Sequence, residues 1–228
     1  MMLRIIFLVV AVLGITHLQA QDNSDWPNLK RYEMKNDSIK EIENRGDRIV
    51  FMGNSITEGW AYHMPEYMNG TPYINRGISG QTTPQMLIRM YPDVVDLKPV
   101  AVVILAGTND IAGNTGPSTI KMIMDNIKGM AEIANANNIK VILASVLPAF
   151  DYPWKPGMGP NEKIPALNAM IKSYAAEKGH VYLDYFGKMN DGNNGLKADL
   201  GSDGVHPNKK GYAIMAEWTE KAIQKAIQ

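Results

Sequence analysis

The chain has 228 residues, no cysteine, 45% hydrophobic and 20% charged residues, and 23 basic against 23 acidic side chains. This length and composition suit one globular domain with a single substantial core, and the lack of cysteine excludes disulfides, a thiol nucleophile and a Cys-ligated metal. Balanced charge with no basic cluster gives no footprint for nucleic acid or anionic lipid, so neutral or weakly charged partners are expected.

In chain order, Met1 to Arg4 is a short basic start, Ile5 to Leu13 is apolar but short for a bilayer, and Leu18-Gln19-Ala20 ends on a small residue. The pattern predicts a signal peptide over residues 1–20, and the polar Thr16, His17 and Gln19 argue against an uncleaved anchor. A lipid anchor is excluded for want of a cysteine. Arg4 is the one charge in that segment, so a mature chain from near Gln21 carries 22 basic and 23 acidic side chains, net −1. A secreted or periplasmic protein without stable membrane insertion is expected.

Residues 21–47 read as an N-terminal extension in which 26–44 form a helix burying Leu29, Tyr32, Ile39 and Ile42. Ile49 to Met52, Val100 to Ala106 and Val141 to Ala144 are apolar at every position, as strands buried on both faces of a parallel sheet are. Tyr73 to Asn75 and Val181 to Leu183 are weaker runs of the same kind. Between them Ile120, Ile123, Met124, Ile127, Ala131 and Ala134 share one helical face, with Ser118 as the expected N-cap. Ile164, Leu167, Ile171, Tyr174 and Ala175 share another. Asp151 to Pro160 reads as a long loop. The last helix is expected to open with Pro207 in its first turn and to bury Tyr212, Met215, Thr219, Ala222, Ile223 and Ala226. Strands alternating with helices predict an α/β fold, a three-layer α/β/α sandwich on a mostly parallel five-stranded sheet of flavodoxin-like type. Any site then lies at the carboxyl ends of the strands.

Polar motifs follow those strand ends. Ser55 lies in Phe51-Met52-Gly53-Asn54-Ser55-Ile56-Thr57-Glu58-Gly59, Gly77 to Thr83 follows the second strand, Gly107-Thr108-Asn109-Asp110 follows the third, and Asp203-Gly204-Val205-His206-Pro207 precedes the last helix. A serine hydroxyl needs an imidazole to take its proton and a carboxylate to hold that imidazole in one tautomer, and Ser55, His206 and Asp203 are candidates for the three roles. Each has an ordinary alternative: Ser55 as a helix cap, Asp203-Gly204 as a turn, Gly77 and Gly80 as positive-φ positions, Asn109 as an Asx turn. Their joint order at successive strand ends favours a site. Asp110, Asp184 and Asp199 are rivals for the carboxylate. Asp203 is preferred because it shares one turn with His206, whereas Asp110 and Asp184 suit loop backbone.

With these four blocks the chain resembles the SGNH hydrolases, the GDSL-like lipase and acylhydrolase family, from about residue 48 to 226, with the domain taken as 48–228. The resemblance implies a carboxylic ester hydrolase in which Ser55 is the nucleophile, His206 the general base and acid, and Asp203 its orienting carboxylate. It implies an oxyanion hole of the Ser55 and Gly80 backbone N–H groups and the Asn109 side chain. In the first block Asn54 replaces the family's usual aspartate, which bears on the hydrogen bonding of the turn.

No cofactor is expected, and the histidines have no metal-ligand spacing. Gly77 to Thr83 lacks the lysine of a phosphate loop. Asn36-Asp37-Ser38 and Asn69-Gly70-Thr71 match the glycosylation pattern. Trp60, Tyr152 and Trp154 are expected to bind substrate at the rim, with Tyr62 and His63 nearby, because flat aromatic rims stack on sugar rings. There is no long apolar insertion to serve as a lid over an acyl chain. The expected activity is removal of a small acyl group, acetyl above all, from a carbohydrate ester. The alternatives are a lysophospholipase or acyl-thioesterase of the cell envelope, and a non-catalytic carbohydrate-binding protein on the same scaffold.

Overall fold

The computed structural model describes residues 25–228, and the expected signal segment lies outside the described residues. Helix α1 (Glu33–Lys40) is followed by strand β1 (Ile49–Gly53), the short helices α2 (Ser55–Glu58), α3 (Trp60–His63) and α4 (Pro65–Met68), and strand β2 (Tyr73–Gly77). Then come α5 (Thr83–Ile88), α6 (Met90–Asp93), β3 (Ala101–Leu105), α7 (Thr108–Ile111), α8 (Ile120–Ala136) and β4 (Lys140–Ala144). The chain closes with α9 (Pro160–Lys178), β5 (Val181–Leu183), α10 (Tyr185–Met189) and α11 (Lys209–Ile227).

All pairings in the five-stranded sheet are parallel, in the order β2-β1-β3-β4-β5. Alternate residues of each strand feed opposite layers, because successive side chains of a strand point to opposite faces. Val50, Met52, Val102 and Ile104 join a core with Met86, Ile123, Met124, Ile127, Leu167 and Ile171. Ile49, Phe51, Val103 and Leu105 join a second core with Ile56, Trp60, Tyr212, Met215 and Ile223. Both faces are covered, as a parallel sheet requires. The chain reverses its winding direction between β1 and β3, whose carboxyl ends open the crevice where α/β sheets bind ligands.

Helix starts differ slightly from expectation. The α8 cap is Thr119, whose side chain accepts from Met122 N–H at 3.2 Å, and not Ser118. In α11 Pro207 lies ahead of the helix, and Asn208 is the cap, accepting from Gly211 N–H at 3.1 Å. In both cases the side chain adjoining the first helical turn wins the capping bond. Pro165 lies inside α9 and has no N–H for the Asn161 carbonyl. Asn194 Nδ2 supplies that bond at 2.9 Å.

The N-terminal helix is much shorter than 26–44. Asp25 accepts from Leu29 N–H at 2.7 Å and Lys30 N–H at 3.0 Å, winding Leu29–Arg31 into a tight 3₁₀ turn before α1. Beyond α1, Arg48 Nη2 takes the Ile39 and Ile42 carbonyls at 2.9 and 2.6 Å and ends the helix. Tyr32 is buried, Ile39 half-buried, and Leu29 and Ile42 exposed, because this segment docks through polar groups and not through an apolar stripe. Asn36 Nδ2 donates to Asp93 Oδ1 at 2.7 Å while Asn36 Oδ1 accepts from Arg76 Nε at 2.8 Å. Asn36 is thereby buried in bonds, which removes it as a glycosylation acceptor.

Asp93 also pairs with Arg89, both side chains being almost wholly buried, and Arg89 Nε donates to Gln81 Oε1 at 2.8 Å. Arg76 lies under the Tyr32 ring, 4.6 Å from its centroid, and its Nη2 has no hydrogen-bond partner among the described residues. Burial pushes both guanidiniums down, Arg76 to about 10, and the Asp93 charge opposes the fall. Removing one partner from a buried ion pair leaves an uncompensated charge at a cost of about 3–5 kcal/mol. Asp93→Ala is therefore expected to lose about that much stability in urea denaturation.

Candidate active site

The turn that carries Ser55 starts where β1 ends. Asn54 is buried, and its Oδ1 accepts from Ile56 N–H at 3.0 Å, which caps α2 and turns the chain sharply enough to present Ser55 at the strand end. An amide oxygen accepts this bond as a carboxylate oxygen can, so Asn54 in place of the usual aspartate leaves the turn capped. Tyr212 of α11 donates from its hydroxyl to the Ile56 carbonyl at 2.7 Å and ties the last helix to this turn.

The acidic turn before α11 is held by its own backbone. Asp203 Oδ1 accepts from Val205 N–H at 2.9 Å and His206 N–H at 2.7 Å, leaving Oδ2 for His206 Nδ1 at 2.7 Å. Burial raises the Asp203 pKa, but these bonds outweigh it and hold the carboxyl below its ordinary value. The far ring nitrogen, His206 Nε2, lies 3.0 Å from Ser55 Oγ. Asp203 engages the imidazole, while the rivals are occupied: Asp110 accepts from Thr83, Asp184 caps α10 through Gly187 N–H at 2.8 Å, and Asp199 pairs with Lys210.

The loop after β2 lies against the same turn. At Gly77 a Cβ would fall 2.1 Å from Glu58 N, so only glycine allows this approach of loop to helix. Gly80 has φ +79°, a conformation that disfavours any side chain. The N–H groups of Ser55 and Gly80 donate to no protein group among the described residues. Asn109 is buried and gives one N–H to the Gln81 carbonyl at 2.9 Å, which fixes the amide against the Gly80 loop and leaves its second N–H.

Beneath Asn109, Asp110 accepts from Thr83 N–H at 3.0 Å and from Thr83 Oγ1 at 2.5 Å, joining the third block to the end of the second. Burial pushes the Asp110 carboxyl up to about 6, against the lowering by both Thr83 bonds. Glu58, not singled out in the sequence, joins the first block to the second: it accepts from Ser79 N–H at 3.0 Å and from the Ser79 hydroxyl, and pairs with Arg31 at 2.8 Å. Its only signal was its place three residues after Ser55 on one short helix.

The aromatic residues divide. Trp60 is 1% exposed and packs against Phe51, Tyr67 and Tyr212, so it belongs to the core and not to the rim. Tyr152 is buried too, donating to the Thr108 carbonyl at 3.0 Å with its hydroxyl 2.8 Å from Thr108 Oγ1. Both rings are expected at the rim as residues of loops around the site, yet Trp60 sits in a short helix and finds an apolar slot, and the Tyr152 hydroxyl finds polar partners. Trp154 is 47% exposed, stacks on Tyr152 at 5.2 Å, and lies 5.8 Å from the His206 ring. Tyr62 and His63 are exposed, with His63 stacked on Tyr212 at 4.9 Å.

A profile of the GDSL-like lipase/acylhydrolase family matches residues 51–214, which contain Ser55, Gly80, Asn109, Asp203 and His206. The chain belongs to that family. It is a carboxylic ester hydrolase. A GDSL-like lipase from Bacteroides thetaiotaomicron is 44% identical, with a TM-score of 0.85 over 89% of this chain and 100% of that one. Esterase TesA of Pseudomonas aeruginosa is 28% identical over 168 residues, 71% of this chain and 77% of the relative. An acetylxylan esterase of Xylanibacter ruminicola is 27% identical over 219 residues, covering 78% of this chain but 43% of the longer relative.

Because Asp110 has its carboxyl pKa raised in the fold above an ordinary 3.8, its contribution to stability is fully present below that value and is lost as pH rises through about 6. Asp110→Asn keeps an acceptor for Thr83 and cannot ionise. Urea midpoints at pH 4 and pH 7.5 should therefore fall less with rising pH in the variant than in the wild type.

Proposed function

We propose that the protein is a secreted or periplasmic serine esterase that removes small acyl groups, acetyl above all, from carbohydrate, through a triad of Ser55, His206 and Asp203 and an acyl-enzyme. The observation that carries this reading is the unbroken relay from Asp203 Oδ2 to His206 Nδ1, 2.7 Å, and from His206 Nε2 to Ser55 Oγ, 3.0 Å.

Ionised Asp203 keeps the imidazole proton on Nδ1, so Nε2 offers its lone pair to the Ser55 hydroxyl. Ser55 Oγ attacks the ester carbonyl as Nε2 takes its proton. The oxyanion of the tetrahedral intermediate is received by the N–H groups of Ser55 and Gly80 and the free N–H of Asn109. His206 returns the proton to the leaving alcohol and the acyl group stays on Ser55. Water then enters, loses a proton to His206, and the second tetrahedral intermediate collapses to carboxylic acid and free serine.

Three features support a small acyl group on a sugar: the acetylxylan esterase among the relatives, the exposed Trp154 ring beside His206, and the absence of a long apolar insertion to cover an acyl chain. Export is supported by the three-part pattern of residues 1–20, and no helix among the described residues is long and apolar enough to cross a membrane.

Ser55→Ala is expected to lower turnover of p-nitrophenyl acetate by at least about 10³-fold with unchanged thermal unfolding. Retained turnover would place the nucleophile elsewhere. Asn109→Ala should lower kcat by about 10²–10³-fold, the size of one lost oxyanion donor. Across p-nitrophenyl esters from acetate to decanoate, kcat/KM should fall steeply beyond short chains. A rise with length would favour a lysophospholipase or thioesterase.

A further inference from the structure

A cleft of about 390 Å³ opens beside the Gly80 loop and is walled on its other side by the segment that precedes α1. Trp26, 38% exposed, Ser79, Gly80, Gln85, Asn114 and Thr115 line it. We infer that this cleft is a second saccharide subsite, so that the substrate is an acylated oligosaccharide or polysaccharide chain and not a single sugar. The inference rests on the carbohydrate esterase reading above and names the size of its substrate.

The cleft is built and rigid. Gln85 Nε2 donates to the Trp26 carbonyl at 2.8 Å and Gln81 Nε2 to the Pro27 carbonyl at 2.6 Å, so two side chains of the Gly80 loop and α5 grip the backbone that carries the indole. Asn114 Nδ2 donates to the Gly80 carbonyl at 3.1 Å, which makes the cleft wall continuous with a proposed oxyanion donor. A ligand in the cleft therefore lies against the loop that carries that donor.

Its chemistry selects among ligand classes. Apart from the indole, Ile78 and the Asp25 carboxylate, the lining is amide, hydroxyl and backbone, which gives an acyl chain little to bury against. No cationic side chain lines it, and its one charge is Asp25, whose carboxyl is held below its ordinary value by the Lys30 and Leu29 N–H groups. A phosphate or other anion finds no cationic partner there. One half-exposed aromatic face with side-chain amides around it fits a neutral sugar ring, stacked through its C–H face and bonded through adjacent hydroxyls. Asn114 retains an N–H and its carbonyl oxygen for that purpose. With Trp154 beside His206, the site then has two aromatic platforms, one near the base and one near the oxyanion loop. Trp26 lies outside residues 51–214, so this platform is added by the chain's own extension and is not part of the family profile.

The test compares acetylated xylose with acetylated xylotetraose on wild type, Trp26→Ala and Trp26→Phe. The wild-type ratio of kcat/KM, tetramer over monomer, is expected to be about tenfold or more, to fall towards one in Trp26→Ala through KM, and to recover partly in Trp26→Phe. A wild-type ratio near one overturns the inference. So does a ratio that Trp26→Ala leaves intact while both rates fall, since Trp26 would then act only by holding the Gly80 loop. Binding of acetylated xylotetraose to the Ser55→Ala protein, followed by calorimetry, separates the subsite from the chemistry. Binding that disappears in Ser55→Ala/Trp26→Ala supports the subsite even if turnover shows the acetyl reading to be wrong, and binding that is absent or indifferent to Trp26 overturns it.

Discussion

A carboxylate can orient an imidazole only if one of its oxygens is kept for the ring, and the turn at Asp203 enforces that division. Oδ1 is held by the N–H groups of Val205 and His206, so rotation of the carboxylate would break two backbone bonds at once. Oδ2 is left facing Nδ1. The ring is a further link in a chain of constraints: Asn208 caps the helix that begins next, and Tyr212, one turn into it, bonds the Ile56 carbonyl beside Ser55. The relay is thus fixed at both ends by backbone, and its distances do not depend on long, mobile side chains.

The loop that carries Gly80 is held just as firmly, but by buried polar groups. Glu58 reaches it from the end of β1 and Asn109 and Asp110 from the end of β3, and Gln81 and Gln85 pass the constraint on to residues 26 and 27. Beneath it, Arg76, Arg89, Asp93 and Asn36 form a charged layer with almost no exposure. Apolar side chains of the same volume would fill that space at lower desolvation cost. What the polar layer adds is direction, since a hydrogen bond fixes an angle and an apolar contact does not.

Most of the sheet was legible in the sequence, because strands covered on both faces must be apolar at consecutive positions. Val102, Val103, Ile104 and Leu105 leave no other reading in a chain without a membrane-length helix among its described residues. The long helices α8, α9 and α11 were legible for the same reason at a different period: their buried positions recur every three or four residues. The N-terminal helix was not, since its one fully buried residue is Asn36, and amphipathic patterning carries no trace of a polar interface. In the site, the order of blocks indicated which residues meet, Ser55 with His206 and His206 with Asp203. It did not separate Trp154 from Trp60 and Tyr152, because whether an aromatic ring near a turn faces water is decided by partners remote in sequence, Tyr212 for Trp60 and Thr108 for Tyr152.

The bond from Tyr212 to the Ile56 carbonyl spans 156 positions of the chain, and His206 reaches Ser55 across 151. During synthesis the Ser55 hydroxyl emerges early, and the imidazole that faces it is made near the end. On the proposed triad, a polypeptide cut short before that final stretch lacks the base that faces Ser55, so reactivity is acquired only when translation is almost finished and the tail has docked.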